Sequence, residues 1–366
     1  MSENIKTCKK CLLNESIEGV SINEEGICNH CENFKPFRPY DHKELLAIFE
    51  AAKNKGRKYD ALVPLSGGKD STYVLYLAVK KYGLKVLTYT FDNGLMSDLA
   101  KKNIETSIKA VSVDHKWIKQ DKKLIKELYR TTLVKSGEIC GVCGMGIERS
   151  MLKVSEDHHI PLILLGHSPT ENASFTSENI YDQNRMKAIL SENKNITKKK
   201  IDTFLIYPNM NFISSFIQTK LGKFGKKVNI LFYEDLPNDK EIGNIITKEM
   251  NWEDSSESEY TRHFDCLAEP FTNYIREKRF GVSRRLPQLS NMIRNGEITR
   301  EEAIRINAKD EENNLPDNYE LMKETFELND EEIEKIGHIP LKVYGQHTSK
   351  ANKLFALSRK LLKRNS

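Results

Sequence analysis

A short serine- and glycine-rich run constrains the fold more than any other feature of this chain. It follows the apolar segment 61–63 and precedes the amphipathic segment 73–77. The run consists of Ser66, Gly67, Gly68, Lys69, Asp70 and Ser71. Adjacent glycines allow a tight turn and bring backbone N–H groups close to a polyphosphate, and the N-terminus of a following helix favours anions. We therefore predict a strand, a phosphate-binding loop and a helix in direct succession.

The loop differs from a Walker loop, because its two glycines are adjacent rather than separated by four residues. We predict that it binds ATP through the hydroxyls of Ser66 and Ser71 and the backbone of the glycines between them. Lys69 would stabilise the charge that gathers on a leaving pyrophosphate. Asp70 is the carboxylate best placed for Mg²⁺.

The composition is that of a soluble globular protein with room for two domains. The chain has 366 residues, of which 39% are hydrophobic and 30% charged, and its net charge is +5. It has no apolar stretch that could span a bilayer and no signal-peptide core at its N-terminus, so we expect a cytoplasmic protein with no membrane partner and with reduced thiols. We interpret the lysine-rich segment 185–227 as a solvated insertion, with phosphate or RNA binding as the alternative.

Strand-like and helix-like runs alternate along the chain. The strand-like runs lie at 61–64, 85–91 and 161–165. The helix-like runs lie at 42–55, 71–82, 98–111, 121–134 and 144–157. This order predicts an α/β fold with a parallel sheet flanked by helices.

We predict three regions from this organisation. They are a cysteine-rich, zinc-binding region at 1–35, an ATP-binding domain at 36–185, and an insertion followed by a helical substrate or lid region at 186–366. The last region loses the glycine-tipped strands of the middle, apart from the apolar run 228–232. Around Gly296 we expect one helix to end and another to begin near Thr299, with Glu302 completing a capping box.

Polar residues follow three of the predicted strands. The loop follows the first strand, Asp92 follows the second, and Gly166 and His167 follow a later one. The carboxyl ends of parallel strands share one edge of a sheet, where ligands bind. Asp92 would serve the ribose, the adenine or the metal, with a turn-forming role as the alternative. His167 would polarise the substrate or contact phosphate, or else is structural, and Glu171 is a weaker candidate.

Region 1–35 carries two pairs of cysteines, each with two residues between its members. They are Cys8, Cys11, Cys28 and Cys31, called the N-terminal cysteines below. Two such knuckles match the spacing of a tetrahedral zinc site, and a closed shell of four thiolates leaves no position for substrate. We therefore predict a structural Zn²⁺. Disulfides are the alternative and are disfavoured in a cytoplasmic chain.

Three further cysteines, Cys140, Cys143 and Cys266, form a second group. Three thiolates are an incomplete zinc shell but suit a 4Fe–4S cluster with one open iron. We predict these residues as cluster ligands and, with Lys69 and Asp70, as catalytic residues. The alternatives are a redox pair with a lone thiol, a persulfide carrier, or three unrelated buried cysteines.

Both ends of the chain resemble the N-acetyl sugar amidotransferases of the PP-loop ATP pyrophosphatase superfamily. The resemblance lies in the cysteine knuckles at 8–31, the loop at 66–71 and the tail at 278–303. It implies an adenine nucleotide alpha hydrolase-like fold and cleavage of ATP between its α and β phosphates. It also implies that AMP activates the amide oxygen of an acetamido sugar. Ammonia from a partner glutaminase would then give an acetamidino group, in surface-polysaccharide biosynthesis.

The middle of the chain resembles the iron–sulfur PP-loop enzymes that thiolate tRNA. Cys140, Cys143, Cys266 and the segment 166–172 carry this resemblance. It implies that an activated carbonyl oxygen is replaced by sulfur held at an open iron. A sulfur-donor protein would then be a partner, and tRNA is an open substrate class.

Together these features predict an AMP-forming enzyme that adenylates a carbonyl or amide oxygen and then replaces it. Sulfur transfer is slightly favoured, because sulfur delivery needs thiols whereas ammonia attacks without them. Sugar amidotransfer is the alternative. A small molecule or a sugar fits as substrate. The basic, amphipathic tail at 353–364 would pack on the core or on the second subunit of a homodimer. The non-enzyme alternative is a zinc-binding, nucleotide-binding interaction protein.

Overall fold

The computed structural model describes most of the chain. The described residues are 5–169, 180–204, 217–219, 221–255, 264–281, 285–311 and 315–340. Glu171 and the tail at 353–364 lie outside these ranges. No helix among the described residues is long and apolar enough to cross a membrane.

Five parallel strands form one sheet. They are β1 (Ala61–Pro64), β2 (Val86–Asp92), β3 (Asp114–Lys119), β4 (Leu162–Leu165) and β5 (Lys226–Asn229). Their order is β3-β2-β1-β4-β5, and Ala61 of β1 pairs with Val86 on one side and Leu162 on the other. The strand order reverses between β1 and β4, which is where α/β sheets open a crevice for ligands. The predicted α/β class is confirmed.

Helices flank and extend the sheet. Before β4 they are α1 (Asn29–Glu32), α2 (His42–Lys53), α3 (Lys69–Tyr76), α4 (Asp98–Val111), α5 (Lys122–Ser136) and α6 (Cys140–Asp157). After β4 they are α7 (Gln183–Ser191), α8 (Lys198–Phe204), α9 (Asp239–Met250), α10 (Glu269–Phe280), α11 (Arg285–Asn295), α12 (Arg300–Glu311), α13 (Tyr319–Thr325) and α14 (Asp330–Gly337). A π-helical turn, Leu77–Lys81, continues α3, and a 3₁₀ turn, Ile230–Tyr233, follows β5.

The central strands are apolar because both faces of the sheet are covered. Leu62 belongs to a core that the sheet shares with α5, α6 and α10, whereas Ala61 and Val63 face a second core with α3, α4 and α9. Alternate side chains of a strand point to opposite faces, so an almost continuous apolar run is needed for burial on both sides. These burial demands hold the carboxyl ends of β2, β1 and β4 side by side.

β3, which escapes prediction, and β5, which overlaps the apolar run 228–232 only at its end, lie at the edges of the sheet. β3 alternates between exposed and partly exposed residues, and β5 opens with the exposed lysines Lys226 and Lys227. Edge strands often carry charge, which hides them from a search for apolar runs. β5 lies beyond residue 185, in the third predicted region, and the predicted domain boundaries stay a prediction. Arg185 of the lysine-rich segment is buried, so it does not belong to a solvated face.

Candidate functional site

The loop after β1 is held in shape by its own hydroxyls. Ser71 Oγ accepts a hydrogen bond from the Ser66 N–H at 3.2 Å and donates to the Gly68 carbonyl at 3.0 Å. Ser66 Oγ accepts from the Gly68 N–H at 3.3 Å and lies 3.1 Å from Ser71 Oγ. Thr72 Oγ1 also donates to the Gly68 carbonyl, at 3.0 Å. The loop is therefore closed by internal hydrogen bonds at the start of α3.

Gly67 is a glycine for two physical reasons. Its φ of +83° lies in the region that L side chains rarely adopt. A Cβ at this position would also overlap the carbonyl oxygen of Ala100 in α4. The loop is thus pressed against α4, and no larger residue fits this turn.

Lys69 and Asp70 open α3 with their side chains partly exposed. The Lys69 ammonium forms ion pairs with Asp239, at the start of α9, and with Asp70 at 3.5 Å. One lysine is therefore shared between two carboxylates of different helices. A cation between two carboxylates is well placed to meet the charge of a polyphosphate bound with Mg²⁺.

Gly166 and His167, at the exit of β4, lie beside α3. A Cβ at Gly166 would come 3.0 Å from Val74 Cγ2 and 3.3 Å from the Asp70 carbonyl oxygen. The glycine therefore allows β4 and the start of α3 to approach closely. His167 is exposed.

Asp92, at the end of β2, accepts a hydrogen bond from the Gly94 N–H at 3.1 Å. This is the turn-forming geometry that the sequence left open as an alternative. The next residue, Asn93, accepts from the Leu95 N–H at 2.8 Å and donates through Nδ2 to Cys143 Sγ at 3.5 Å. Asn93, just after the end of β2, therefore contacts the second cysteine group.

Cys140, Cys143 and Cys266, called the later cysteines below, lie together at this edge of the sheet. Cys140 is the first residue of α6 and Cys143 lies one turn further, so both occupy one face at the positive end of the helix. Cys266 pairs with Met96 in an antiparallel bridge, which is extended by a hydrogen bond from the Leu267 N–H to the Leu95 carbonyl at 2.7 Å. All three residues are half-buried and pack against the core of the sheet.

The start of α6 differs from the predicted start at residue 144, because three glycines interrupt its first turns. Glycine weakens a helix by about 1 kcal/mol relative to alanine, so the segment does not look helical. In the structure each glycine admits a close neighbour. A Cβ at Gly141 would overlap the Ile180 carbonyl, one at Gly144 would lie 2.5 Å from Tyr181 Cε1, and one at Gly146 would overlap Phe91.

The later cysteines lie close enough to affect one another's ionisation. Burial raises the pKa of the Cys140 thiol well above its usual range, and Glu138, Cys143 and Cys266 raise it further. Burial and Cys143 raise the pKa of Cys266 to about 12. Burial also raises the pKa of Cys143. These groups are thiols at neutral pH unless a cation binds among them.

The later cysteines do not converge on a single ion, and an iron–sulfur cluster is the group that the sequence predicts for them. Among the described residues, only the four N-terminal cysteines converge closely enough to surround one ion. A cluster spreads its thiolates over several irons and therefore accepts ligands that are further apart. The hydrogen bond from Asn93 to Cys143 is the kind that stabilises a cluster-bound sulfur.

The four N-terminal cysteines converge as predicted. Cys8 Sγ lies 3.9 Å from Cys31 Sγ, Cys11 Sγ lies 3.6 Å from Cys28 Sγ, and all four sulfurs lie within 4.8 Å of one another. A tetrahedral shell with Zn–S bonds of about 2.3 Å spaces its sulfurs about 3.8 Å apart. The group therefore has the size and the closed shape of a zinc site.

The ionisation of the N-terminal cysteines also favours a bound cation. Hydrogen bonding from Cys31 lowers the pKa of Cys11 to about 5, whereas burial raises the pKa of Cys28 to about 11. The pKa of Cys31 is also raised, chiefly by its hydrogen bond to Cys11. Ionisation of Cys11 disfavours ionisation of its neighbours, because four negative charges cannot share this volume without a metal.

The segment that carries the N-terminal cysteines rests on the C-terminal helices. The Leu12 N–H donates to Ser290 Oγ of α11 at 3.1 Å, and Arg300 of α12 donates to the carbonyls of Cys11 at 3.3 Å and Cys8 at 3.4 Å. Leu12 packs in an apolar cluster with α11 and α12. Thr299 caps α12 by accepting from the Glu302 N–H at 3.1 Å. The N-terminal segment thus forms one unit with α11 and α12.

Three residues near the loop have no sequence signal that marks them. Asp239 meets Lys69, Trp252 donates its indole N–H to the Gly67 carbonyl at 2.9 Å, and a Cβ at Gly68 would lie 3.5 Å from Asp265 Oδ2. All three follow the loop by more than 150 residues. Only the position of Asp265, next to Cys266, could have suggested it.

Two family models match parts of the chain. Residues 60–149 match the family described as queuosine biosynthesis protein QueC, a PP-loop family. Residues 60–149 are therefore similar to a PP-loop family, and the loop at 66–71 is called the PP-loop below. This segment includes the PP-loop, Asp92, Cys140 and Cys143. Residues 257–361 match the family described as LPS biosynthesis protein WbpG-like, C-terminal domain. The second segment includes Cys266 and the helices on which the N-terminal cysteines rest.

An uncharacterized protein of Methanocaldococcus jannaschii is 29% identical over 151 residues, which are 40% of this chain and 53% of that protein. The match thus spans about half the length of this curated relative. The tRNA thiolase NcsA of Methanococcus maripaludis, solved with its 4Fe–4S cluster, is 16% identical, with 95% of each chain covered and a TM-score of 0.34. The NMN synthetase of Francisella tularensis is 14% identical, with 59% of this chain and 87% of that chain covered and a TM-score of 0.28.

Proposed function

We propose that this protein adenylates a carbonyl or amide oxygen of its substrate with ATP and then replaces that oxygen with sulfur. The observation that carries the proposal is the meeting of two groups at one edge of the sheet. The PP-loop follows β1, and three half-buried cysteines lie beside the exit of β2. The first group serves adenylation, and the second serves sulfur delivery.

Adenylation needs donors that stabilise the leaving pyrophosphate. The substrate oxygen attacks the α-phosphorus, the bond to the bridging oxygen of the β-phosphate breaks, and pyrophosphate leaves with the extra charge. The Gly68 N–H and the Lys69 ammonium lie at the start of α3, where they would meet this charge on exchanging their present partners, which are Ser66 Oγ and two carboxylates. Asp70 would hold Mg²⁺, which neutralises the phosphate oxygens.

Sulfur delivery would use the later cysteines. Cys140, Cys143 and Cys266 would hold a 4Fe–4S cluster, whose open iron supplies sulfide as a soft nucleophile. The N-terminus of α6 favours the anionic form of its first thiols, and Asn93 donates to Cys143. Asp265 lies beside Gly68 and is followed by Cys266, so one short segment joins the two groups.

Formation of AMP and pyrophosphate tests the first half of the proposal. Protein purified without oxygen is incubated with Mg²⁺-ATP and sulfide, and with either bulk tRNA or a nucleotide-linked N-acetyl sugar. We expect AMP formation with one of these substrates and a loss of about a hundredfold or more in Lys69→Ala. Lys109→Ala removes an exposed lysine of α4 and serves as the matched control. AMP formation that survives Lys69→Ala would contradict the proposal.

The second candidate is N-acetyl sugar amidotransfer, which the match of residues 257–361 to a WbpG-like C-terminal domain favours. The adenylation step is the same, but ammonia attacks the activated carbon, AMP leaves, and a proton is released as the amidine forms. Labelled ammonium and labelled sulfide offered together with the sugar distinguish the two. Label from nitrogen in the product would select amidotransfer, and label from sulfur would select thiolation.

The remaining expectations about partners are proposals that follow from these two chemistries. Sulfur transfer requires a sulfur-donor protein and admits tRNA as substrate, whereas amidotransfer requires a partner glutaminase and a sugar. We also propose that the protein forms a homodimer and is located in the cytoplasm. The reaction that feeds this enzyme must supply either reduced sulfur or an ammonia equivalent.

A further inference from the structure

Two residues, one at the start of helix α9 and one just beyond its end, contact the PP-loop. At the start of the helix, Asp239 forms an ion pair with Lys69. Two residues beyond its end at Met250, Trp252 reaches Gly67. The helix lies outside both segments that match family models, yet it packs along α3 and α4, which flank the loop.

Trp252 is buried and is held in place by its neighbours. Only 2% of its surface is exposed, and its ring packs against Phe264 with centroids 5.8 Å apart. Asn103 of α4 fixes the next residue by donating to the Glu253 carbonyl at 2.8 Å and accepting from the Glu253 N–H at 2.9 Å. The indole N–H therefore has a fixed direction when it donates to the Gly67 carbonyl at 2.9 Å.

The Gly67 carbonyl controls the direction of a donor in the loop. A planar trans peptide places the carbonyl of Gly67 and the N–H of Gly68 on opposite sides of one rigid unit. That N–H points to Ser66 Oγ, at 3.3 Å, on the inner side of the loop. Adjacent glycines restrict the rotation of this peptide little, so contacts to its carbonyl help to fix it. Asn103 Nδ2 also donates to this carbonyl, at the longer distance of 3.4 Å, which leaves the indole N–H as the shorter of the two contacts.

We propose that Trp252 is a positioning residue of the PP-loop. Its indole N–H holds the peptide between Gly67 and Gly68 with the Gly68 N–H turned towards a bound polyphosphate. The inference rests on the proposed use of ATP by this loop. Trp252 should therefore affect how tightly the loop binds the phosphates of the nucleotide, and it should not affect binding of the nucleoside.

The variant Trp252→Phe tests this role, because it removes the N–H and keeps an aromatic ring against Phe264. Wild-type protein and variant are titrated with ATP, inorganic pyrophosphate and AMP, each with Mg²⁺. We expect the dissociation constants of ATP and pyrophosphate to rise about tenfold, as befits one lost hydrogen bond of about 1.4 kcal/mol, and that of AMP to stay within about twofold. The control is Trp117→Phe, the same change at the other tryptophan of the chain, in edge strand β3.

Two results would overturn the proposal. One is unchanged binding of ATP and pyrophosphate by Trp252→Phe, and the other is an equal loss for ATP, pyrophosphate and AMP, which marks a general structural role. If Trp252→Phe does not fold, Trp252 is replaced by β-(3-benzothienyl)alanine in the Trp117→Phe background. This change replaces only the indole N–H with sulfur, and the same two results would overturn the proposal. Wild-type protein that binds ATP but never forms AMP contradicts the proposed function, while the titrations still decide the role of Trp252.

Discussion

The two cysteine groups of this protein differ in number, exposure and surroundings. The four N-terminal sulfurs lie within 4.8 Å of one another, and Cys8, Cys11 and Cys28 are fully buried. The later cysteines number three, are half-buried, and neighbour the PP-loop through the segment at Asp265. A closed shell supports folding, whereas an incomplete and accessible shell leaves room for chemistry.

The comparison also separates what each group depends on. The N-terminal cysteines are held by helices α11 and α12, through Ser290 and Arg300, whereas ATP is proposed to bind at the edge of the sheet. The later cysteines are joined to the exits of the strands through Asn93 and Met96. Loss of an N-terminal cysteine should therefore act on stability, and loss of a later cysteine on the reaction.

The largest effect is expected for Cys11→Ser. Removing one thiolate opens the zinc shell, and structural zinc contributes about 10 kcal/mol or more to the folding of small zinc domains. We expect loss of zinc and cleavage of the N-terminal segment at low protease concentrations. Metal analysis and limited proteolysis measure both. Cys11→Ser that keeps its zinc and its protease resistance would show that the N-terminal cysteines do not form a metal site.

The second-largest effect is expected for Cys266→Ala. We expect loss of thiolated product by about a hundredfold or more, because one cluster ligand is gone, with zinc content, melting temperature and ATP binding unchanged. Product analysis beside an ATP titration separates the two half-reactions. Met96→Leu, which changes the other side of the same bridge and removes no thiol, is the control. Full product formation by Cys266→Ala would remove the distinction between the two groups.

The pH dependence of metal loading sharpens the comparison. The later cysteines have raised pKa values, to about 12 for Cys266, so a metal must displace their protons at pH 7. Binding therefore strengthens as pH rises, about tenfold per unit for each proton released. Among the N-terminal cysteines, the lowered pKa of Cys11 means that it ionises above about pH 5 and releases no proton at pH 7, whereas Cys28 and Cys31, with raised pKa values, release theirs. Cobalt titrations of Cys11→Ser and Cys266→Ala at about pH 6.5 and 7.5 measure the two slopes, and equal slopes per thiolate would contradict the difference.

The smallest effect is expected for Arg300→Gln. The change removes hydrogen bonds to the carbonyls of Cys8 and Cys11 at 3.4 Å and 3.3 Å, which contribute about 1 kcal/mol. We expect a melting temperature lower by about 2–4 °C and unchanged AMP formation. Arg305→Gln, on the same helix, is the control for a lost surface charge. A loss of AMP formation would mean that the N-terminal segment takes part in the reaction.

Local sequence signals predicted what depends on local structure. β1, β2, β4 and α4 were predictable because continuous apolar runs and regular periodicity mark buried elements. The spacing of the N-terminal cysteines predicted their convergence, because zinc knuckles have fixed spacing. Edge strand β3 was not predictable, and the apolar run that begins at Val228 indicated only the end of β5, since charge on an exposed edge resembles a loop.

Long-range contacts of the site escaped prediction for a different reason. Asp239 and Trp252 reach the PP-loop only because α9 packs along α3 and α4, and no spacing along the chain encodes that packing. The turn role of Asp92 was one of two alternatives, and only its bond with Gly94 favours it. The assignment of ligands and catalytic residues to this edge stays a prediction.

Metal analysis of the wild-type protein and Cys266→Ala, both purified without oxygen, tests the central difference most directly. The account predicts about one zinc per chain in both proteins, together with about four irons, sulfide and broad visible absorption in the wild type only. Zinc alone in both proteins, with no iron or sulfide, would contradict the assignment of the later cysteines and leave amidotransfer as the chemistry of this PP-loop.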